Sequence, residues 1–356
     1  MKEINTFRGT KPLCRYHRVC AHEHLLIDLS HQAITPGTEA ETAVLEQPVR
    51  MDNLGLLRRN PYVVRDNLIL SDAAVAVREV GFLRKHGVDL IIDLTTIGIG
   101  RDLEKLRAIA AAIEPDLVIG TGFYTQGSLT QEEAALSSEQ MAELMLREIY
   151  EGIGDSGIRA GVIGEIGVSE QIYPAERRSL LAAAKAYRES GLPVYVHTYP
   201  WTRAGYDAAR LLAEHGVDPR DICICHTDVR FDHDYMRELL RLGVYLEFDN
   251  FGKEFYFLAR DGAFSGGPFA SDLSRVHQLR RLLEEGYGRQ LMIANDICLK
   301  TALHCYGGWG YDHIFENIIP MMRQEGMCDA EIAMIVDENP LCFLQTADTG
   351  GSEERK

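Results

Sequence analysis

Eight apolar runs of strand length punctuate this 356-residue chain, at about 17–24, 88–96, 116–124, 160–167, 192–198, 222–228, 243–250 and 291–297. Between most of them lie segments of helical periodicity, at 71–86, 102–113, 138–151, 175–190, 203–216, 232–242 and 273–286. Regular alternation of this kind implies parallel strands joined by right-handed crossovers, and eight such units close into a barrel. The expected fold is α/β, a (β/α)8 TIM barrel over residues 1–345 followed by a flexible tail at 346–356. An open doubly wound sheet is the alternative, but it would not bring strands 1, 4 and 8 together. Residues 28–70 form the longest irregular stretch, and neither a repeat nor a low-complexity linker marks a domain boundary.

The polar ends of these runs carry six candidate metal ligands: His22, His24, Glu165, His197, His226 and Asp296. His22 and His24 stand two residues apart in Val19-Cys20-Ala21-His22-Glu23-His24, so an extended backbone turns both imidazoles to one face and makes a chelate. A lone histidine in such a run is more often a core or surface residue. Several ligand types at the ends of separate strands carry more weight, because the active sites of barrels gather at the carboxyl ends of their strands. Neutral imidazoles with carboxylates suit zinc, manganese, cobalt or iron(II) better than a thiolate-only site would. His86, His215 and His277 fall in predicted helices or at their ends, where solvated side chains are expected, and His304 and His313 in a glycine-rich segment receive no assignment.

A net charge of −16 and a pI near 5.2 argue against the basic footprint that nucleic acid or an anionic membrane requires. The N-terminal residues lack the apolar core of a signal peptide, and no apolar run reaches the length of about eighteen residues that spans a membrane. A cytoplasmic protein acting on a small molecule is the expectation. Eight cysteines at irregular positions fit neither a disulfide framework nor a paired zinc site and are read as reduced thiols. Cys223 and Cys225, alternating with Ile222 and Ile224, are expected to pack in the core, as is Cys298.

Further stretches complete a pattern: Gly98-Ile-Gly-Arg101-Asp102, Gly161-Val-Ile-Gly-Glu165-Ile-Gly167, Tyr245-Leu-Glu-Phe-Asp249, Asp296-Ile-Cys-Leu-Lys300-Thr and Tyr306-Gly-Gly-Trp309-Gly310-Tyr311. The early segments Pro48-Val-Arg-Met-Asp-Asn-Leu and Asn60-Pro-Tyr belong to it as well. With the six ligands, the chain resembles over nearly its whole length the phosphotriesterase-related branch of the phosphotriesterase family, in the amidohydrolase superfamily. The resemblance implies two divalent ions, zinc foremost. His22, His24 and Asp296 would hold one, His197 and His226 the other, and Glu165 would bridge them. It also suggests a homodimer. Glu165 stands where the phosphotriesterases proper use a carboxylated lysine, which points away from organophosphate triesters.

Two such ions about 3.5 to 4 Å apart make a bridging hydroxide available at neutral pH and polarise the scissile oxygen. Asp296 would accept the proton of the attacking water and return it to the leaving group. Asp228, two residues after His226, would extend a proton relay or else cap a helix. Tyr124, Lys253, Lys300 and Tyr306 lie on loops near the expected mouth, where the two lysines would converge on a carboxylate, sulfonate or phosphate of the substrate. The segment from Tyr306 to Gly310 lacks the residue order of a phosphate-binding loop. It reads as a mobile lid with Trp309 as an apolar wall or a packed anchor, and Gly98-Ile-Gly100 fails as a dinucleotide signature. The first expectation is a binuclear hydrolase of a small, anionic lactone or carboxylic ester. The alternatives are hydrolysis of N-acyl amino acid or N-acyl sulfonate conjugates, phosphoester cleavage, and a non-catalytic binding protein on the same barrel.

Overall fold

The computed structural model describes residues 2–256 and 266–345. Its centre is a sheet of eight strands: β1 (Val19–Glu23), β2 (Leu90–Asp93), β3 (Asp116–Thr121), β4 (Val162–Val168), β5 (Val194–Thr198), β6 (Ile222–Ile224), β7 (Tyr245–Phe248) and β8 (Leu291–Ile293). Each pairs in parallel with the next in chain order. The two outer strands meet at the mouth, where the Asp296 N–H donates to the His22 carbonyl at 3.2 Å. The result is a TIM barrel, as the alternation of runs predicted.

The runs are apolar throughout because both faces of each strand are covered. Leu90, Ile92, Val118, Val162, Tyr195, Cys223 and Met292 fill the barrel interior, while the alternate residues Ile91, Leu117, Ile163, Val194, Ile222 and Leu246 pack under the helices. Cys223 and Cys225 are interior packing residues, and none of the eight cysteines is in a disulfide.

Seven helices follow the first seven strands: α1 (Ala73–Val80), α2 (Leu103–Ala112), α3 (Ser138–Tyr150), α4 (Pro174–Ser190), α5 (Ala204–Glu214), α6 (His233–Leu242) and α7 (Asp272–Glu284). Asp72, Asp102, Ser137, Asp232 and Ser271 cap α1, α2, α3, α6 and α7 by accepting first-turn N–H bonds. Gly191 and Gly243 end α4 and α6 in the left-handed conformation. Three short helices, Ile319–Gln324, Asp329–Ala333 and Asn339–Leu344, complete the eighth unit. The last brings Phe343 against Tyr195 and Tyr245, with ring centroids 5.0 Å apart in both pairs, to plug the barrel floor.

Two features go beyond the sequence reading. Residues 28–70 contain the helices Glu39–Leu45 and Leu54–Arg59, and Ile27–Asp28 pairs with Ile69–Leu70. An N-terminal hairpin, Glu3–Thr6 with Gly9–Pro12, is anchored on Asp116 at the start of β3. Arg8 (3.0 Å), Lys11 (3.2 Å) and Tyr16 (2.8 Å) all donate to that one carboxylate. Burial alone would raise the Asp116 pKa, but these donors hold it below its ordinary value. Its stabilisation is therefore present above the ordinary aspartate value of 3.8 and is lost as pH falls through the depressed one. Asp116→Asn should cost about 1.5 to 3 kcal/mol at neutral pH. The gap between mutant and wild-type urea midpoints should close in acid, and a gap independent of pH would contradict this account. The tail expected at 346–356 lies outside the described residues.

Candidate active site

The six candidate ligands converge at the carboxyl ends of β1, β4, β5, β6 and β8, each at most 5% exposed. Glu165 Oε1 is the hub: it lies 2.9 Å from His226 Nε2, 3.3 Å from His197 Nδ1 and 3.7 Å from His22 Nε2. Asp296 Oδ1 faces His24 Nε2 at 3.1 Å and His22 Nε2 at 3.7 Å. Burial would raise the pKa of Glu165, yet His197 and His22 hold it well below the ordinary value. Burial acts the same way on Asp296, and Lys253 with His24 brings it down to about 2. Both carboxylates therefore stay charged and able to accept a proton or a cation.

His22, His24 and Glu165 form one metal-suited group, and Glu165, His197 and His226 a second that shares Glu165. A fully buried His22 Nε2 has no hydrogen-bond partner although it points at two carboxylates. Leaving a buried polar atom unpaired is costly, and a divalent ion among these nitrogen and oxygen donors would satisfy it. The donor set therefore fits a metal pair.

Residues behind the imidazoles fix their orientation. Glu247 accepts from His22 Nδ1 at 2.8 Å, Asp249 from His226 Nδ1 at 3.0 Å, and Thr95 Oγ1 lies 2.8 Å from His24 Nδ1. The Nε2 atoms of all three rings are thereby turned to the centre, the usual arrangement around a metal. His226 (φ 62°) and Asp296 (φ 47°) are the non-glycine residues of positive φ among those described, a conformation that costs of order 1–3 kcal/mol each. Both bends are pinned by carboxylates. Asp249 accepts the His226 N–H at 2.9 Å, and Glu23 accepts the N–H groups of Asn295 (3.3 Å) and Ile297 (2.9 Å) on either side of Asp296. Glu23 also takes Asn295 Nδ2 at 2.9 Å, so the residue between the two β1 histidines clasps β1 to β8. The sequence reading gave Glu23, Glu247 and Asp249 no role; the signal was two acids spaced two apart on a buried strand.

Among the expected substrate contacts, Tyr124 and Lys253 line the pocket, whose volume is about 460 Å³, with Tyr62, Phe255, Phe269 and Leu299. The Tyr124 hydroxyl lies 3.0 Å from His197 Nδ1, and the buried Lys253 ammonium is ion-paired with Asp296 Oδ2. The other three, Lys300, Tyr306 and Trp309, do not line it. Lys300 turns to Asp66 at 2.5 Å and lines a separate cavity with Tyr306, because the 300–302 turn directs it toward the 28–70 segment. Trp309 stacks on His313 in a neighbouring cavity. The expected relay residue, Asp228, is engaged away from the six ligands: Asn250 (2.8 Å) and Arg275 (2.8 Å) occupy its oxygens in a buried cluster. The expected lid is a bonded turn: the N–H groups of Gly307, Gly308 and Gly310 donate to His304, Leu303 and Ala302. His304 pairs with Asp312 and His313 with Asp272, both away from the six.

Comparison with known proteins gives a consistent result. The phosphotriesterase family matches residues 2–344. The human N-acetyltaurine hydrolase is 32% identical over 347 residues, covering 96% of this chain and 97% of its own length. A resiniferatoxin-binding protein from Rhodobacter sphaeroides has a crystal structure that matches with a TM-score of 0.91 at 32% identity, covering 96% of this chain and 94% of that one. A mutant phosphotriesterase-like lactonase from Deinococcus radiodurans matches with a TM-score of 0.73 at 27% identity, covering 96% and 99% of the two chains. Among the described residues no helix is long and apolar enough to cross a membrane. With its barrel, its convergent histidines and carboxylates and this full-length match, the chain belongs to the phosphotriesterase family and is a metal-dependent hydrolase.

Proposed function

We propose that the protein hydrolyses the amide bond of a small N-acyl conjugate carrying an anionic head group. Two divalent ions, zinc foremost, would be held by His22, His24 and Asp296 on one side and by His197 and His226 on the other, with Glu165 between them. The observation that carries the anionic part is Lys253, an ammonium 5% exposed in the wall of the pocket. Lysine is almost never buried without a reason. Asp296 engages one of its three donors and Cys298 a second, so one remains for a substrate carboxylate or sulfonate.

The preference for an amide reverses the order expected from sequence, which placed lactones and esters first. It rests on the full-length likeness to an N-acetyltaurine hydrolase at 32% identity. The lactonase structure, at 27%, supports lactones as the second reading. Eight cysteines that form no disulfide suit a cytoplasmic setting.

When bound, the ions supply Lewis acidity that acidifies water and polarises the scissile carbonyl. Asp296 takes the proton of the attacking water and delivers it to the leaving nitrogen, which must be protonated to depart. Lys253 keeps Asp296 anionic and able to accept. Phe255, Phe269 and Leu299 narrow the pocket around the reacting bond.

The test is a panel of N-acyl amino acids and sulfonates, lactones, esters and phosphoesters, assayed after chelation and after return of zinc, manganese, cobalt or iron(II). N-acyl substrates should give the highest kcat/KM, and a lactone preference of tenfold or more would overturn the amide reading. Lys253→Met should raise KM for anionic substrates by about 10- to 100-fold and leave KM for neutral esters little changed. Equal KM for both charge classes would sink the role of Lys253.

A further inference from the structure

A second cavity, about 1050 Å³ in volume, lies beside the catalytic pocket, and Lys253 and Phe255 line both. None of the six candidate ligands lines it, and its wall has a distinct composition. Phe251, Phe255, Ile297 and Trp309 supply apolar surface, and Arg58 stands at the rim.

Trp309 is built as a platform. His313 covers it with ring centroids 5.1 Å apart and planes 20° from parallel, and His313 is itself fixed by Asp272 (2.8 Å) and Asn317 (3.1 Å). Gly252 lets the backbone approach: a Cβ there would lie 3.2 Å from Trp309 Cδ1 and 3.3 Å from His313 Cδ2. The indole is nevertheless 55% exposed, which leaves ring surface for a ligand. Large aromatic side chains held rigid and uncovered are a typical recognition surface.

Arg58, in the helix Leu54–Arg59, has no ion-pair partner among the described residues. That is notable in a chain with 53 acidic and 37 basic residues, where carboxylates to pair with are in excess. Glu254, the one carboxylate lining the cavity among the described residues, accepts the Asp272 N–H at 2.7 Å. The glycine-turn N–H groups are already bonded to carbonyls, so a ligand anion would be received by the guanidinium, which matches a carboxylate in a bidentate fork.

We propose that this cavity is a second ligand site, adjoining the catalytic pocket, that takes an aryl carboxylate with its ring against Trp309 and its carboxylate on Arg58. The proposal is independent of which bond the enzyme cleaves.

Calorimetric titration of the metal-loaded enzyme with phenylacetate tests it. Saturable binding is expected, with acetate and benzyl alcohol at least tenfold weaker because each lacks one half of the recognition. Arg58→Gln and Trp309→Ala should each weaken phenylacetate at least tenfold, and Trp309→Phe should keep most of the affinity. Arg58→Gln should retain basal hydrolysis, which separates loss of the site from loss of fold. Absence of saturable binding in the millimolar range would overturn the proposal. So would binding that Arg58→Gln and Trp309→Ala leave intact, or binding that competes fully with substrate, since that would place the ligand in the catalytic pocket.

Discussion

Asp296→Asn is expected to lower kcat by about 10²- to 10⁴-fold, the range associated with loss of a positioned proton carrier. Asparagine keeps the size and the acceptor facing His24, but it has no basicity. The wild-type carboxylate is held charged down to about pH 2, chiefly against the cost of burial and with the help of Lys253 and His24, so at neutral pH it is a ready acceptor. The substitution also leaves the Lys253 ammonium buried without its counter-ion, which costs stability. The measurement therefore pairs turnover with thermal stability and metal content of the purified mutant. A folded, metal-loaded mutant with kcat within tenfold of wild type would remove Asp296 from the reacting atoms. A mutant that loses metal in step with activity would instead assign Asp296 to metal retention alone.

The same residue shows how much of this architecture was legible in the sequence. Strand runs were readable because both faces of each barrel strand are apolar, and their polar ends pointed to the site. The runs nonetheless overran the strands. β6 ends at Ile224 and β8 at Ile293, whereas His226 and Asp296 stand beyond them on positive-φ bends. Those bends depend on Asp249 and Glu23, partners on other strands, and no local pattern reports such a contact. Lys300 was misplaced for a related reason. Four residues from Asp296, it was expected on a loop near the mouth, but a single turn carries it across to Asp66, 234 residues away in sequence. The N-terminal hairpin was missed because Glu3–Thr6 and Gly9–Pro12 are polar and short, and their anchoring comes from the buried carboxylate of Asp116.

The carboxylates behind the site lead to the second large effect. Asp249→Asn should weaken metal affinity by about 10- to 100-fold, equivalent to about 1.4 to 2.8 kcal/mol. Asp249 accepts both Nδ1 and the backbone N–H of His226, and its other contacts reach Asn250 Nδ2 at 2.7 Å and His22 Nδ1 at 3.5 Å. An amide presents one acceptor where the carboxylate presents two, so at least one of these donors must face an N–H. The His226 ring then loses both its tautomer preference and the bend that aims Nε2 at Glu165. Activity should fall at limiting metal and recover as zinc or manganese is raised, because the ligand remains and only its orientation is lost. Glu247→Gln should act in the same direction through His22, which it holds at 2.8 Å. The two substitutions together should exceed either alone, since they disturb opposite sides of the centre. Damage to the fold would not be repaired by excess metal, so a defect that no metal concentration rescues would show that Asp249 supports the barrel rather than the ligand.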